Sequence, residues 1–206
     1  KMTKQEAWQK GIEALAAVGI PDPAARMKNY PFEMSGGMRQ RVMIAIAVAC
    51  NSQLIVADEP TTALDVTTQA QVMELLMSLV HDRGTSIIVV THNLGLVTRY
   101  ADRIYVMYAG RIVESGTTEQ LLTNPQHPYT LGLLASVPKL DGDKNAELIP
   151  IEGTPPNLAK VPEYCSFYPR CPYATKECKA KKHPALKPTG QEGHFSSCHL
   201  QGKGGF

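Results

Sequence analysis

The sequence predicts an α/β fold built on a parallel sheet, and three observations carry that prediction. Two short continuous apolar runs, LIVAD at 54–58 and SIIVV at 86–90, have the length and composition of strands covered on both faces. Segments with helical periodicity precede each of them, over 38–50 and 66–80. Parallel neighbours need a crossover of about that size, so strands alternating with such helices imply βαβ units. At 206 residues and 43% apolar, the chain can bury one ordinary core with a small appendage.

The elements follow in order. Thr3 opens T-K-Q-E, a capping box, and Trp8, Ile12 and Leu15 then recur at helical spacing until Gly19 and Pro21 stop the helix. In EMSGGMRQR, residues 33–41, the serine and two glycines precede a second helix whose apolar face is read as Met38, Val42, Ile46 and Ala49, with Cys50 as core. The run at 54–58 ends in the carboxylates of Asp58 and Glu59. A third helix, marked by Val66, Ala70, Met73, Met77 and Val80, closes near Gly84, and the second strand ends at Thr91-His92-Asn93. Arg103–Tyr108 and Arg111–Ser115 read as a hairpin about Ala109-Gly110, followed by helices near Thr118–Leu122 and Tyr129–Ser136. From 138 to 162 the composition turns to Pro, Gly, Asp and Asn, which marks a boundary. There is no internal repeat.

Charge and hydropathy limit the partners. A net charge of +2 singles out none and gives no reason to expect nucleic acid. No apolar run approaches the roughly 18–20 residues of a membrane span, and there is no signal-peptide pattern, so a soluble, non-exported chain is expected.

Two strand ends and one helix start carry chemistry. In an open parallel sheet, ligands bind beyond the carboxyl ends of the strands, where Asp58, Glu59 and His92 are expected. Asp58 can hold a hydrated Mg2+, Glu59 can orient or deprotonate a water, and His92 can hydrogen-bond a phosphate or its attacking water. Ser35, Gly36 and Gly37 stand at a helix N-terminus, where backbone N–H groups unobstructed by Cβ atoms suit an anion. Taken singly, an Asp-Glu pair after a strand is a turn or cap, and a lone His is structural. Together, in this order, they are not readily accidental.

MSGGMRQR, then LIVADEPTTALD, then SIIVVTHN resembles the nucleotide-binding subunits of ABC transporters: signature loop, Walker B strand with catalytic glutamate, D-loop and H-loop. Met34 and Met38 depart from the usual Leu and Gln. SGGMRQR together with HPYTLGLLASVP is similar to the dipeptide/oligopeptide and nickel importer branch. The resemblance implies an incomplete P-loop NTPase (ABC ATPase) core with a helical signature subdomain, and it spans roughly 1–137. It implies a head-to-tail dimer with a homologous ATPase subunit, in which Ser35, Gly36 and Gly37 reach the γ-phosphate of ATP held by the partner. Asp65 would lie at the dimer seam, although an Asp before a helix is also an ordinary N-cap. It further implies two transmembrane permease subunits, an extracytoplasmic solute-binding protein acting indirectly, and a peripheral place on the cytoplasmic face of the membrane.

The sequence contains no G-x-x-x-x-G-K-[ST], nor the family's base-stacking aromatic and Q-loop glutamine. The expectation is a C-terminal portion of a subunit, with these parts upstream of Lys1, inactive by itself and prone to associate through an unpaired sheet edge.

The last quarter of the chain holds Cys165, Cys171, Cys178 and Cys198, spaced C-x5-C-x6-C-x19-C, with eight Lys/Arg against three Asp/Glu over 160–206. Disulfides do not suit a reducing cytosol. Zinc would take His183, His194 or His199 as substitute ligands, but the usual C-x2-4-C knuckle is missing. CPYATKEC resembles the C-terminal extension of peptide-importer ATPases, which implies a [4Fe-4S] cluster; a basic solvated tail is the plain alternative.

The expected organisation is a helical subdomain with the signature helix over 1–50, ATPase core over 51–137, linker over 138–162 and Cys-rich extension over 163–206. The expected function is an ATP-hydrolysing subunit powering a peptide importer. The alternatives are a soluble ABC ATPase acting on nucleic acid or ribosomes, and a non-catalytic metal-binding or dimerisation module. The solute is not legible, because ATPase subunits do not line the translocation path.

Overall fold

A computed structural model describes residues 2–50, 52–62, 64–137 and 150–201, and the chain divides into two compact units, Lys1–Asn93 and Leu94–Phe206. Most of the stretch read as a linker, residues 138–149, lies outside the described residues. Among the described residues no helix is long and apolar enough to cross a membrane.

The first unit begins with α1 (Lys4–Ala17). Its capping box is formed: Glu6 N donates to Thr3 Oγ1 at 3.2 Å, and Thr3 N to Glu6 Oε2 at 2.7 Å. Gly19, at φ 68°, turns the chain where α1 stops, and after the short α2 (Pro23–Arg26) comes α3 (Gly36–Ala49). Arg41 of α3 donates to the Val18 carbonyl at 2.8 Å, tying the end of α1 to α3. The face α3 buries is Ile44, Ala45 and Val48, not the one read from the sequence, since Ile46 is 65% exposed and Cys50 is exposed rather than core. From Val42 to Cys50 every residue is apolar, so periodicity had no polar side against which to fix the rotation.

β1 (Leu54–Asp58) and β2 (Ser86–Val90) pair in parallel, with Asp58 opposite Val90. α4 (Val66–Arg83) crosses between them and ends on Gly84 at φ 62°, a left-handed cap that a side chain would strain. Expected burial on both faces is not met. Ile55 is buried, while Leu54, Val56, Ile88 and Val90 are 48–63% exposed on the opposite face, because among the described residues nothing covers it.

The second unit begins with α5 (Leu94–Tyr100), then β3 (Arg103–Tyr108) and β4 (Arg111–Thr117), an antiparallel hairpin turning at Ala109 (φ 49°) and Gly110 (φ 76°). α6 (Thr118–Thr123) and α7 (Pro128–Ala135) follow, and in the tail the short α8 (Lys176–Ala180) carries buried Cys178. The tail joins the hairpin: β5 (Lys187–Pro188) pairs with β6 (Phe195–Ser196), which pairs with β4. Phe167, 2% exposed, packs in one cluster with Val106, Tyr108, Val113 and Leu121, with Cys165 and Cys171 at its edge. Its ring meets Tyr108 edge-on at 5.2 Å. The extension therefore borrows a core from the hairpin instead of building its own.

Candidate functional site

At the carboxyl ends of β1 and β2 the structure brings Glu59 and His92 together. His92 Nδ1 lies 2.8 Å from Glu59 Oε1, and the Thr62 hydroxyl donates to Oε2 at 2.9 Å. Glu59 N donates to the Val90 carbonyl at 2.8 Å, which fastens it to β2. Its φ of 47° puts a non-glycine residue in the left-handed region, a conformation costing about 1–3 kcal/mol that is retained where the surroundings hold it. The hydrogen bond from His92 holds the Glu59 carboxyl below the usual carboxylate range. A carboxylate so held is a poor proton acceptor, so it is better suited to orienting a water than to deprotonating one. Asp58 ends β1 one residue earlier, exposed beside this pair. His92 is itself 83% exposed, leaving its Nε2 edge open to solvent.

Ser35 caps α3 by accepting from Met38 N at 3.3 Å. The glycines after it face the start of α4. A Cβ on Gly36 would lie 3.7 Å from Leu64 Cδ2, and one on Gly37 would lie 3.0 Å from Thr68 Cγ2. Thr68 cannot easily withdraw, because its hydroxyl donates to Asp65 Oδ2 at 2.6 Å while its N–H donates to Oδ1 at 2.9 Å. Asp65 is thus the N-cap of α4, and these two bonds hold its carboxyl below the usual range. Gln69 donates to the carbonyls of Thr61 and Leu64, at 3.3 and 3.1 Å, stapling the turn between Glu59 and Asp65. Gln69 and Thr68 were not singled out from the sequence, since neither belongs to a chemical motif.

The second candidate centre is in the tail. Cys165, Cys171, Cys178 and Cys198, all free, line one cavity of about 20 Å3 together with His127 and His199. Burial pushes the Cys171 thiol up to about 11 and raises Cys165 and Cys198 as well, and the neighbouring cysteines add to each shift. These thiols therefore stay protonated unless a cation joins them. Among the described residues, no group of three or more His, Cys, Asp or Glu is arranged to hold a metal ion. The thiols share a cavity without meeting at one point, which a single zinc with ligands at about 2.0–2.3 Å demands.

Of the histidines offered as zinc ligands, His194 is withdrawn from that role. It is fully buried, with Nε2 2.8 Å from Glu114 Oε1. Glu114 also accepts from Gln126 N at 2.6 Å and His127 N at 3.0 Å, and so locks β4, the entry to α7 and β6 together. His183 Nε2 lies 3.4 Å from the Ser197 hydroxyl and is not among the residues lining the cavity, whereas His199 is. His127, unremarked in the sequence except within HPYT, caps α7 through Nδ1, which accepts from Tyr129 N at 3.1 Å.

Residues 1–62 match the family model of the ABC transporter, and residues 113–178 that of the oligopeptide/dipeptide transporter C-terminal region. The oligopeptide transport ATP-binding protein OppD of Haemophilus influenzae is 49% identical over 197 residues, 96% of this chain and 60% of that protein. The dipeptide transport ATP-binding protein DppD of Bacillus subtilis is 48% identical over 201 residues, 98% of this chain and 59% of its own length. A dimeric ATP-binding cassette, solved in a post-hydrolysis state bound to ADP and Pi, superposes with a TM-score of 0.50 at 32% identity, covering 57% of this chain and 50% of that one. The chain thus spans about 60% of the length of these two curated relatives.

Proposed function

Because the chain belongs to the family of oligopeptide and dipeptide transport ATP-binding proteins, we propose that it is part of an ATPase that powers a peptide importer from the cytoplasmic face of the membrane. The observation that supports the reading is the Glu59–His92 pair at the ends of two parallel strands, a held carboxylate and an open imidazole edge on the side of the sheet where parallel α/β folds bind their ligands. Asp58 would hold Mg2+ with the phosphate oxygens, Glu59 would orient the attacking water, and His92 would donate to the γ-phosphate. Ser35, Gly36 and Gly37 would meet ATP held by a second subunit, so that ATP closes the head-to-tail dimer and hydrolysis reopens it to drive two permease subunits. Asp65 would couple the two sites through Thr68, which touches the position of Gly37.

No phosphate-cradling G-x-x-x-x-G-K-[ST] occurs in residues 1–206, so these residues alone would not turn over ATP. The apolar face of β1 and β2 left exposed among the described residues is one that a parallel sheet ordinarily packs against a second layer.

The four tail cysteines would hold a [4Fe-4S] cluster. Supporting this reading, the four cysteines border one cavity, and a cluster binds each thiolate at a separate iron, so they need not converge on a point; the cavity of about 20 Å3 would have to open to admit it. Such a cluster would brace the tail against the hairpin and supply one-electron chemistry. The test is peptide-stimulated phosphate release by the assembled transporter, together with iron, sulfide and zinc content. Release that follows peptide supply, with near-equal iron and sulfide, supports the reading. Zinc in place of iron removes the cluster, and release indifferent to peptide removes the import function.

A further inference from the structure

We propose that the basic segment 176–187 of the tail is a contact surface for the anionic phospholipid headgroups of the membrane; this rests on the reading above that the chain works at a membrane face. The segment holds Lys176, Lys179, Lys181, Lys182 and Lys187 against Glu177, a net +4 with histidine neutral, whereas the whole chain is only +2. The positive charge is therefore concentrated here, and the remaining residues are net negative. All five lysines are exposed. Lys181 Nζ pairs with Glu177 Oε2 at 3.2 Å, so the surplus charge rests on the other four.

The backbone that carries these lysines is pinned. Lys181 N donates to the Glu177 carbonyl at 3.1 Å and His183 N to the Glu163 carbonyl at 2.6 Å. The Ser197 hydroxyl donates to the Pro184 carbonyl, and Lys187 pairs with Ser196 where β5 meets β6. Lys181 and Lys187 border one cavity of about 580 Å3, so lysines from before and after Pro184 share a surface. Charges on a fixed backbone lose less freedom on binding than charges on a loose one. Tyr173, just before the segment, and Leu186, within it, are 41% and 40% exposed. Lysines around accessible aromatic and aliphatic side chains suit the boundary between headgroups and acyl chains. The segment contains no arginine. Arginine's planar fork reads single phosphates and base edges, whereas lysine acts as a point charge and suits a diffuse anionic surface. That favours a bilayer over nucleic acid.

The experiment measures cosedimentation of the intact subunit with permease-free vesicles, phosphatidylethanolamine mixed with phosphatidylglycerol against phosphatidylcholine alone. The triple variant Lys179→Gln, Lys182→Gln, Lys187→Gln is compared with a charge-matched control, Lys4→Gln, Lys10→Gln, Lys28→Gln, which alters exposed lysines of the first unit. Wild type and control are expected to bind the anionic vesicles and not the neutral ones. The tail variant is expected to bind about 10²-fold more weakly, at about fivefold per lysine, and wild-type binding to weaken as salt is raised. An unchanged tail variant, an equal loss in both variants, or no preference for anionic vesicles overturns the proposal. Wild-type binding indifferent to salt overturns it without recourse to any variant. Tighter binding to a short DNA duplex than to vesicles, lost in the tail variant, also overturns it and makes the patch a nucleic-acid surface. The vesicles hold no permease and the assay no ATP, so failure here is distinct from failure of the ATPase reading, which phosphate release by the assembled transporter decides.

Discussion

Glu59 and His92 lie 33 residues apart in the chain and 2.8 Å apart in space, joined at the ends of two paired strands. The contact explains why a glutamate tolerates a left-handed backbone: its N–H is held by Val90, one oxygen by His92 and the other by Thr62. Removing His92 frees the carboxylate. His92→Ala in the intact subunit is expected to raise the Glu59 pKa toward its ordinary value and to lower ATP turnover about 10²-fold or more, with nucleotide affinity little changed. A turnover within a factor of two of wild type contradicts the pairing.

Gly37 is a steric prediction. A Cβ there meets Thr68 Cγ2 at 3.0 Å, and the Thr68 hydroxyl is bound to Asp65. Gly37→Ala is expected to cost about 1–2 kcal/mol, crowding outweighing the modest helix-propensity gain. Thr68→Ser keeps the hydroxyl and removes the methyl, so the double variant should recover most of that loss in denaturant unfolding. Strict additivity of the two changes contradicts the contact.

Glu114 is predicted to anchor the tail. Glu114→Ala would leave the His127 and Gln126 N–H groups and buried His194 without their acceptor, at a cost of about 3–5 kcal/mol. Limited proteolysis should then cut the residues after 150 faster than in wild type. Equal cleavage rates contradict this role.

His127 sets a pH dependence. Burial, and then nearby His183, pushes its pKa down to about 3, against about 6.5 in the unfolded chain. Between those values the unfolded state binds the extra proton, so this group's contribution to stability is present above about pH 6.5. It is lost as pH falls toward 3, by at most about 1.4 kcal/mol per pH unit. His183, whose pKa is also lowered, acts in the same direction, and the neighbouring cysteine thiols are neutral throughout that window. His127→Asn should flatten the fall in urea midpoint between pH 7 and 5, and an unaltered slope contradicts it.

The strands and helix limits were legible because local chemistry marks them: the Thr3 box, the Asp65 cap, Gly84, and the turn at Ala109-Gly110. The place of Glu59 and His92 at the strand ends was legible for the same reason, since each follows an apolar run. The rotation of α3 was not, because its second half is apolar all round, leaving Ile46 and Cys50 misread as buried. Nor was the attachment of the tail to β4. Two-residue strands leave no periodic pattern, and the pairing of Glu114 with His194 joins residues 80 apart. Nothing in the cysteine spacing pointed to His127, whose only local signal is a cap before Pro128.

The most direct test of the account is phosphate release by a transporter assembled from the intact subunit and the permease subunits proposed for it, supplied with peptide, wild type against Glu59→Gln. The glutamine keeps the shape of the side chain and removes its charge. The account predicts ATP-dependent dimer closure in both, with release in the variant lower by about 10²–10⁴-fold. Release by the variant at the wild-type rate, under the same peptide and ATP, would contradict the role given to Glu59 and with it the site at the ends of β1 and β2.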